Sequence, residues 1–360
     1  MAFTDEEKAE LERCIAGVAQ FTFDTLILLA AAGGTAPIDP GPGPGPGPGP
    51  DGDTDAEFFA ANSLWNARLT GSEALSPASS QIIADLRTVK GDSSQLQVSA
   101  GNGYGIPIYK TTGGERRVTV RDPNGWTMEG VPVPTGTQAA SGEGYLTIVD
   151  RPANRVYNFF GFTDSGGATA TSNGFGCFRL DGHGWWDYAK DPAHPGPWTG
   201  CSSNASYLAG VITRQEIADG VIPHALCLTC DTHIQSQHPA LPAKTTDTWL
   251  PSDVPSWPTP GVPNGTRIRL RSNVNLSTLG LGPTTLKVAK ALQDFGGIFI
   301  DRGAGISLRC QENADWGDVW SAGNQAGLTG KLFSYCDALA PVAAADYDCP
   351  STWSPPIPHM

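Results

Sequence analysis

The chain is short of positive charge, and that shortage removes whole classes of function. It holds 23 Lys and Arg against 36 Asp and Glu, a net charge of -13. Phosphate binding needs clustered Lys and Arg, and no such run occurs, which argues against nucleic acid and anionic membrane surfaces as partners. The apolar run Leu26-Ile27-Leu28-Leu29-Ala30-Ala31-Ala32 falls short of the ~20 residues a bilayer span takes, and extending it backwards meets Asp24 and Gln20. The opening Thr4-Asp5-Glu6-Glu7-Lys8 is acidic where a secretory signal is basic. There is no phosphate-binding glycine loop, Gly-x-Ser-x-Gly elbow or dinucleotide fingerprint, and no cofactor is expected.

Turn formers and indoles are in excess. Gly (44) and Pro (30) make up about a fifth of the 360 residues, above the usual share of roughly 12%. Apart from one low-complexity run they are scattered as punctuation, which suits many short strands. The 10 Trp serve equally well as core or as stacking platforms.

Three regions follow. Over 1–34, Thr4 and Glu7 form a capping box. Leu11, Cys14, Val18, Phe21, Thr25 and Leu28 then keep a 3,4 spacing, the seam of a short coiled coil. Past Phe23 this helix is apolar nearly all round, so it must pack on something, and oligomerisation, as a homotrimer, is the expectation. Residues 35–56 are a linker in which Gly and Pro alternate strictly from Pro40 to Pro50. Every second N–H is missing there, so neither helix nor sheet forms and the segment is an extended spacer. Residues 57–360 are a mainly β domain, expected as an antiparallel sandwich or jelly roll with a few short helices. Its predicted elements include a helix over Gln81–Val89, a hairpin of Tyr145–Val149 with Arg155–Phe162, and a capped helix from Thr213 to Gly220. A strand over Val221–Leu228, a strand over Thr266–Leu270, a helix over Thr284–Phe295, and a second hairpin of Gly297–Arg302 with Ile306–Cys310 complete the list. No βαβ alternation is visible.

Several residues can carry chemistry. His224 beside apolar residues suits a general acid or base, or a hydrogen-bonded residue at the core edge. Glu216 is a candidate catalytic carboxylate and also the fourth residue of a second capping box, Thr213-x-x-Glu216. Asp150 and Asp301 both close apolar strands; paired carboxylates serve glycoside hydrolysis, and single ones form turns. Glu143, Tyr145 and Thr147 alternate onto one strand face, either a ligand face or a solvated one. Gly182-His183-Gly184-Trp185-Trp186-Asp187-Tyr188 is a glycine-loosened aromatic loop whose rings can stack on sugars while His183 and Asp187 bond hydroxyls; the alternative places the rings in the core. Cys227, Cys230, His233 and His238 are ligand types zinc accepts, with a disulfide or unrelated thiols as the alternative. Seven of the eight cysteines fall in the β domain, and at least two disulfides are expected, Cys336–Cys349 first.

From Asn62 to about Val319 the chain resembles an uncharacterised family of secreted bacterial proteins whose members also occur within tail proteins of phages that infect actinobacteria. The resemblance is carried by Ser63-Leu64-Trp65-Asn66, Tyr104-Gly105-Ile106-Pro107-Ile108-Tyr109, Val131-Pro132-Val133-Pro134, Leu208 to Ile217, Gly220 to Leu226, Pro242-Ala243 and Ala291 to Asp301. That family favours an Asp-x-His pair where this chain has Glu143 and Tyr145, which puts a catalytic role for those positions in doubt here. The resemblance, with the acidic helix and spacer, implies a phage minor tail protein: a virion component facing the extracellular environment, anchored among other tail proteins, whose domain binds host-surface polysaccharide. The alternative it leaves open is an enzyme cleaving cell-wall polysaccharide.

Overall fold

The structure is a computed structural model that describes residues 58–89, 97–99, 103–185, 201–231, 234–236, 238–246, 261–303, 305–312 and 330–342. The expected N-terminal helix, its trimeric seam and the spacer lie outside the described residues, as do Trp186, Asp187, Tyr188, His233 and Cys349.

The described chain is mainly β with few, short helices. In order it forms α1 (Ser79–Val89), β1 (Gln97–Ser99), β2 (Ile108–Lys110), β3 (Arg116–Arg121), β4 (Thr127–Val133), β5 (Leu146–Asp150), β6 (Arg155–Phe160), β7 (Thr163–Asp164), β8 (Thr169–Thr171) and β9 (Gly174–Arg179). Then come α2 (Arg214–Asp219), β10 (Leu226–Asp231), β11 (Arg267–Leu270), α3 (Pro283–Asp294), β12 (Gly297–Gly303), β13 (Ser307–Arg309) and β14 (Cys336–Ala338). They build three sheets: six strands in the order β1-β13-β10-β12-β11-β14, four as β2-β5-β6-β9, and four as β4-β3-β8-β7.

The expectation of antiparallel pairing is corrected, because parallel pairs occur in every sheet: β1 with β13, β10 with β12, β2 with β5, and β3 with β8. The β5–β6 hairpin forms as expected, with Asp150 opposite Arg155. The second hairpin does not. β12 and β13 are separated by β10, which pairs with both. β10 is buried at all six positions. A strand with no solvated face takes a central place with neighbours on both edges. Thr229 fixes the crossing, its Oγ1 donating to the Gly305 carbonyl at 3.3 Å and lying 2.6 Å from Ser307 Oγ. The strand expected from Val221 begins only at Leu226, so His224 sits in the loop before it; Pro223 supplies no N–H for a ladder there.

Period-2 alternation distributes the core into layers. Leu226, Leu228, Cys230, Ile268, Phe299 and Leu308 meet Ile82 and Leu86 of α1 and Val288 and Leu292 of α3 on one face of the six-stranded sheet. From its other face Ala225, Cys227, Ile298 and Ile300 meet Tyr145, Val149, Val156 and Phe178 of the β2-β5-β6-β9 sheet. The reverse side of that sheet, through Leu146, Ile148, Tyr157 and Phe159, packs on Val118, Val120, Met128 and Val131 of the third. The layer between the first two sheets holds most of the buried polar groups discussed next.

Candidate functional site

A strand face aimed at another sheet is normally apolar, and this one is interrupted by polar groups on both sides. From the four-stranded sheet, Tyr145 precedes β5, Thr147 lies on it, and Asn158 stands opposite Thr147 on β6. From the six-stranded sheet, β12 contributes Asp301 and β13 contributes Arg309. The segment from Cys201 to Tyr207 runs between.

Arg309 is the centre of this layer. A buried guanidinium is tolerated only with a counter-charge and aromatic or hydrogen-bonding company. Asp301 Oδ2 lies 2.6 Å from its Nη2. The Tyr145 and Tyr207 rings lie 4.8 and 5.5 Å from its Cζ, and the two rings meet edge-on at 5.0 Å. Burial acts against the Arg309 charge, but Tyr145 and Asp301 outweigh it and hold the group protonated. Burial pushes the Tyr145 phenol up, so it stays a neutral donor or acceptor. The Cys201 thiol is pushed up by burial to about 12, and burial also raises Cys227 well above the usual thiol value, so both are inert thiols rather than nucleophiles. Asn158 Oδ1 accepts from Ser206 Oγ at 2.9 Å and from the Tyr207 N–H. Thr147 Oγ1, Asn158 Nδ2 and Arg309 Nε, and the indole nitrogens of Trp65 and Trp185 in the same layer, find no partner among the described residues. Each such atom costs about 1–3 kcal/mol unless a water or ligand atom meets it. Glu143 is exposed, and its carboxylate adds to the rise of the Tyr145 phenol that burial begins. Tyr145 and Thr147 are therefore not on a solvated face: both are buried in a polar seam, with Glu143 exposed two residues before Tyr145.

Glu216 and His224 form a second buried unit. The capping box is present: Thr213 N donates to Glu216 Oε2 at 2.7 Å and Glu216 N donates to Thr213 Oγ1 at 3.2 Å, and Gly220 closes α2 at φ 82. The other carboxylate oxygen, Oε1, lies 2.8 Å from His224 Nε2, while His224 Nδ1 lies 2.9 Å from the Ala225 carbonyl. Two acceptors on two ring nitrogens call for the imidazolium, in which both nitrogens donate. Burial alone lowers the His224 pKa, but the charge and hydrogen bond of Glu216 and the Ala225 carbonyl outweigh it and raise the value above 6.5.

The remaining sequence candidates fall elsewhere. Asp150 accepts from Thr111 Oγ1 at 3.1 Å and from Ala153 N at 3.4 Å, the bonding of a turn former. Trp185 is 5% exposed and stacks on Trp65 with centroids 5.6 Å apart, so its ring is core and not an open platform. His183 is partly buried beside it. Cys227 and Cys230 point into different core layers on opposite faces of β10, so one ion cannot take both. Among the described residues no three His, Cys, Asp or Glu side chains converge as a metal site requires, and His238 is exposed. No disulfide joins any two of Cys177, Cys201, Cys227, Cys230, Cys310 and Cys336, which corrects the expectation of at least two bridges. Among the described residues no helix is long and apolar enough to cross a membrane.

Sequence reasoning missed Arg309, Tyr207 and Asn158. Arg309 did carry a signal, a lone charge in the apolar run Ile306 to Cys310. No protein-family description, curated protein or solved structure matches the chain.

Proposed function

We propose that the protein is a virion structural component, a minor tail or fibre protein, whose β domain binds a host-envelope polysaccharide. The facing sheets act in this reading as a sandwich-like scaffold, and the ligand sits at the Glu143 edge of the Tyr145–Asp301–Arg309 seam. The observation that favours binding over cleavage is the commitment of the carboxylates. Glu216 is held by its helix cap and His224, Asp150 through Oδ1 by Thr111 and its turn, with Arg117 3.9 Å from Oδ2, and Asp301 by Arg309. Glycoside hydrolysis needs two carboxyl groups flanking one bond, one of them able to give up a proton, and these three stand on different elements with separate partners. The spacer and the apolar N-terminal helix support the same reading, because several tethered copies gain avidity of roughly 10²–10⁴ from weak single contacts.

Incubating the full chain with purified actinobacterial cell-wall polysaccharide separates the alternatives. The binding reading expects the protein to sediment with insoluble wall and to leave the supernatant free of new reducing ends. Release of soluble sugar shows an enzyme and overturns it; absence from the pellet overturns any glycan function.

A further inference from the structure

The β5–β6 face that looks towards the six-stranded sheet is apolar or aromatic row by row, with one exception. The rings of Tyr145 and Phe160 have centroids 5.7 Å apart, and Val149 stands opposite Val156. Between these rows Thr147 stands opposite Asn158. We infer that this row is a binding site for one ordered internal water, which accepts from Asn158 Nδ2 and bonds Thr147 Oγ1. The inference is independent of the glycan-binding reading.

The strand register brings the two side chains together. Thr147 N donates to the Pro107 carbonyl at 2.9 Å, on the β2 side. Its amide is thus turned away from β6, and the pair with Asn158 is of the non-hydrogen-bonded kind. Opposed residues of that kind have Cα atoms about 4.5 Å apart and side chains at their closest. Both side chains are 0% exposed. Neither Thr147 Oγ1 nor Asn158 Nδ2 bonds any described residue, the other included.

Turning the amide round does not mend this. Asn158 Oδ1 accepts from the Tyr207 backbone N–H, and from Ser206 Oγ at 2.9 Å. A backbone N–H only donates, so the amide oxygen must face it and the NH2 group must face the other way. Ser206 Oγ is itself engaged, accepting from Leu208 N at 3.2 Å. The flanking rows along the strands are Tyr145 with Phe160 and Val149 with Val156, and neither valine offers an acceptor.

The chemistry selects the guest. Asn158 Nδ2 only donates, and Thr147 Oγ1 both donates and accepts. A water accepts from the first and bonds the second, which is how buried polar groups of this kind are satisfied. An anion is the other small acceptor. Arg309, whose Cζ lies 4.8 Å from the Tyr145 ring, is already matched by Asp301 at 2.6 Å. A buried anion would therefore stand uncompensated. The water has a structural consequence: it fixes the amide whose other end holds Tyr207, and the Tyr207 ring lies 5.5 Å from Arg309 Cζ.

The test is a crystal structure of the full chain at a resolution that shows ordered solvent, repeated in bromide, with melting temperatures of wild type and Thr147→Val. The expected result is a solvent peak within hydrogen-bond distance of both Thr147 Oγ1 and Asn158 Nδ2, with no anomalous signal from bromide. Valine keeps the shape of threonine without the hydroxyl, so the sign of its effect is decisive. With the water in place, Thr147→Val removes one of its partners and lowers the melting temperature by roughly 2–4 °C. If the hydroxyl has no partner at all, the same change removes a stranded polar group and the melting temperature rises. A melting temperature equal to or above that of wild type, a direct Thr147–Asn158 contact, or no density between the two overturns the inference. A bromide peak at the site overturns it in favour of an anion.

Discussion

Replacing His224 with Leu tests the buried Glu216–His224 pair and gives it a definite pH signature. The imidazole bridges a carboxylate at 2.8 Å and a backbone carbonyl at 2.9 Å in a site that is almost fully closed to solvent. Removing one partner of such a pair strands the other and costs about 3 kcal/mol, which for a domain of this size is roughly 6–12 °C of melting temperature. Folding raises the His224 pKa above 6.5, so the stabilisation is complete below that value. It is lost as pH rises through the folded value, because a neutral imidazole donates to only one of its two acceptors. Melting temperatures of wild type and His224→Leu, measured by circular dichroism from pH 5.5 to 9.5, should differ most at the acid end and converge as the solution becomes alkaline. A gap that stays constant, or widens with pH, refutes the charged-pair argument and leaves His224 as packing alone.

Other outcomes follow from the same structure. Trp185→Ala should lower stability by about 3–5 kcal/mol, the cost of emptying a core site stacked on Trp65; denaturant titration showing under 1 kcal/mol would place the ring at the surface. Arg309→Met should cost about 3 kcal/mol by stranding Asp301, and the double variant Arg309→Met/Asp301→Leu should recover most of it, a coupling that a double-mutant cycle in urea measures directly. Gly103→Ala should destabilise the fold by more than 1 kcal/mol, since the added Cβ collides with Gly142 backbone at φ +79; an unchanged melting temperature would show that the two segments are not pinned. Thiol titration with a chromogenic disulfide reagent should leave Cys201, Cys227, Cys230, Cys310 and Cys336 unreacted in the native state and expose all five on unfolding.

The sequence was informative wherever the deciding interaction is local. The Thr213–Glu216 capping box, the turn between β5 and β6 and the α3 helix closed by Gly296 all depend on residues a few positions apart, and each formed where the local chemistry put it. The mainly β character followed from turn formers spaced between short apolar runs. His224 and Glu216 were both nominated, and their eight-residue separation across a capped helix made their meeting plausible, though not their charge state.

What the sequence alone left open depends on pairings between distant strands. An apolar run does not say which neighbour it will take, so Gly297–Arg302 and Ile306–Cys310 read as a hairpin until β10, buried on both faces, claimed the place between them. That insertion brings β13 over the four-stranded sheet and sets Arg309 between Tyr145 and Tyr207, residues 164 and 102 positions away in the chain. The same long-range packing decided that Cys227 and Cys230, three apart in sequence, face different cores, and that Trp185 lies against Trp65 instead of in water. Local chemistry determined which segments are strands and helices; the match of buried faces between sheets determined which polar groups came together, because only the assembled layers set what each side chain meets.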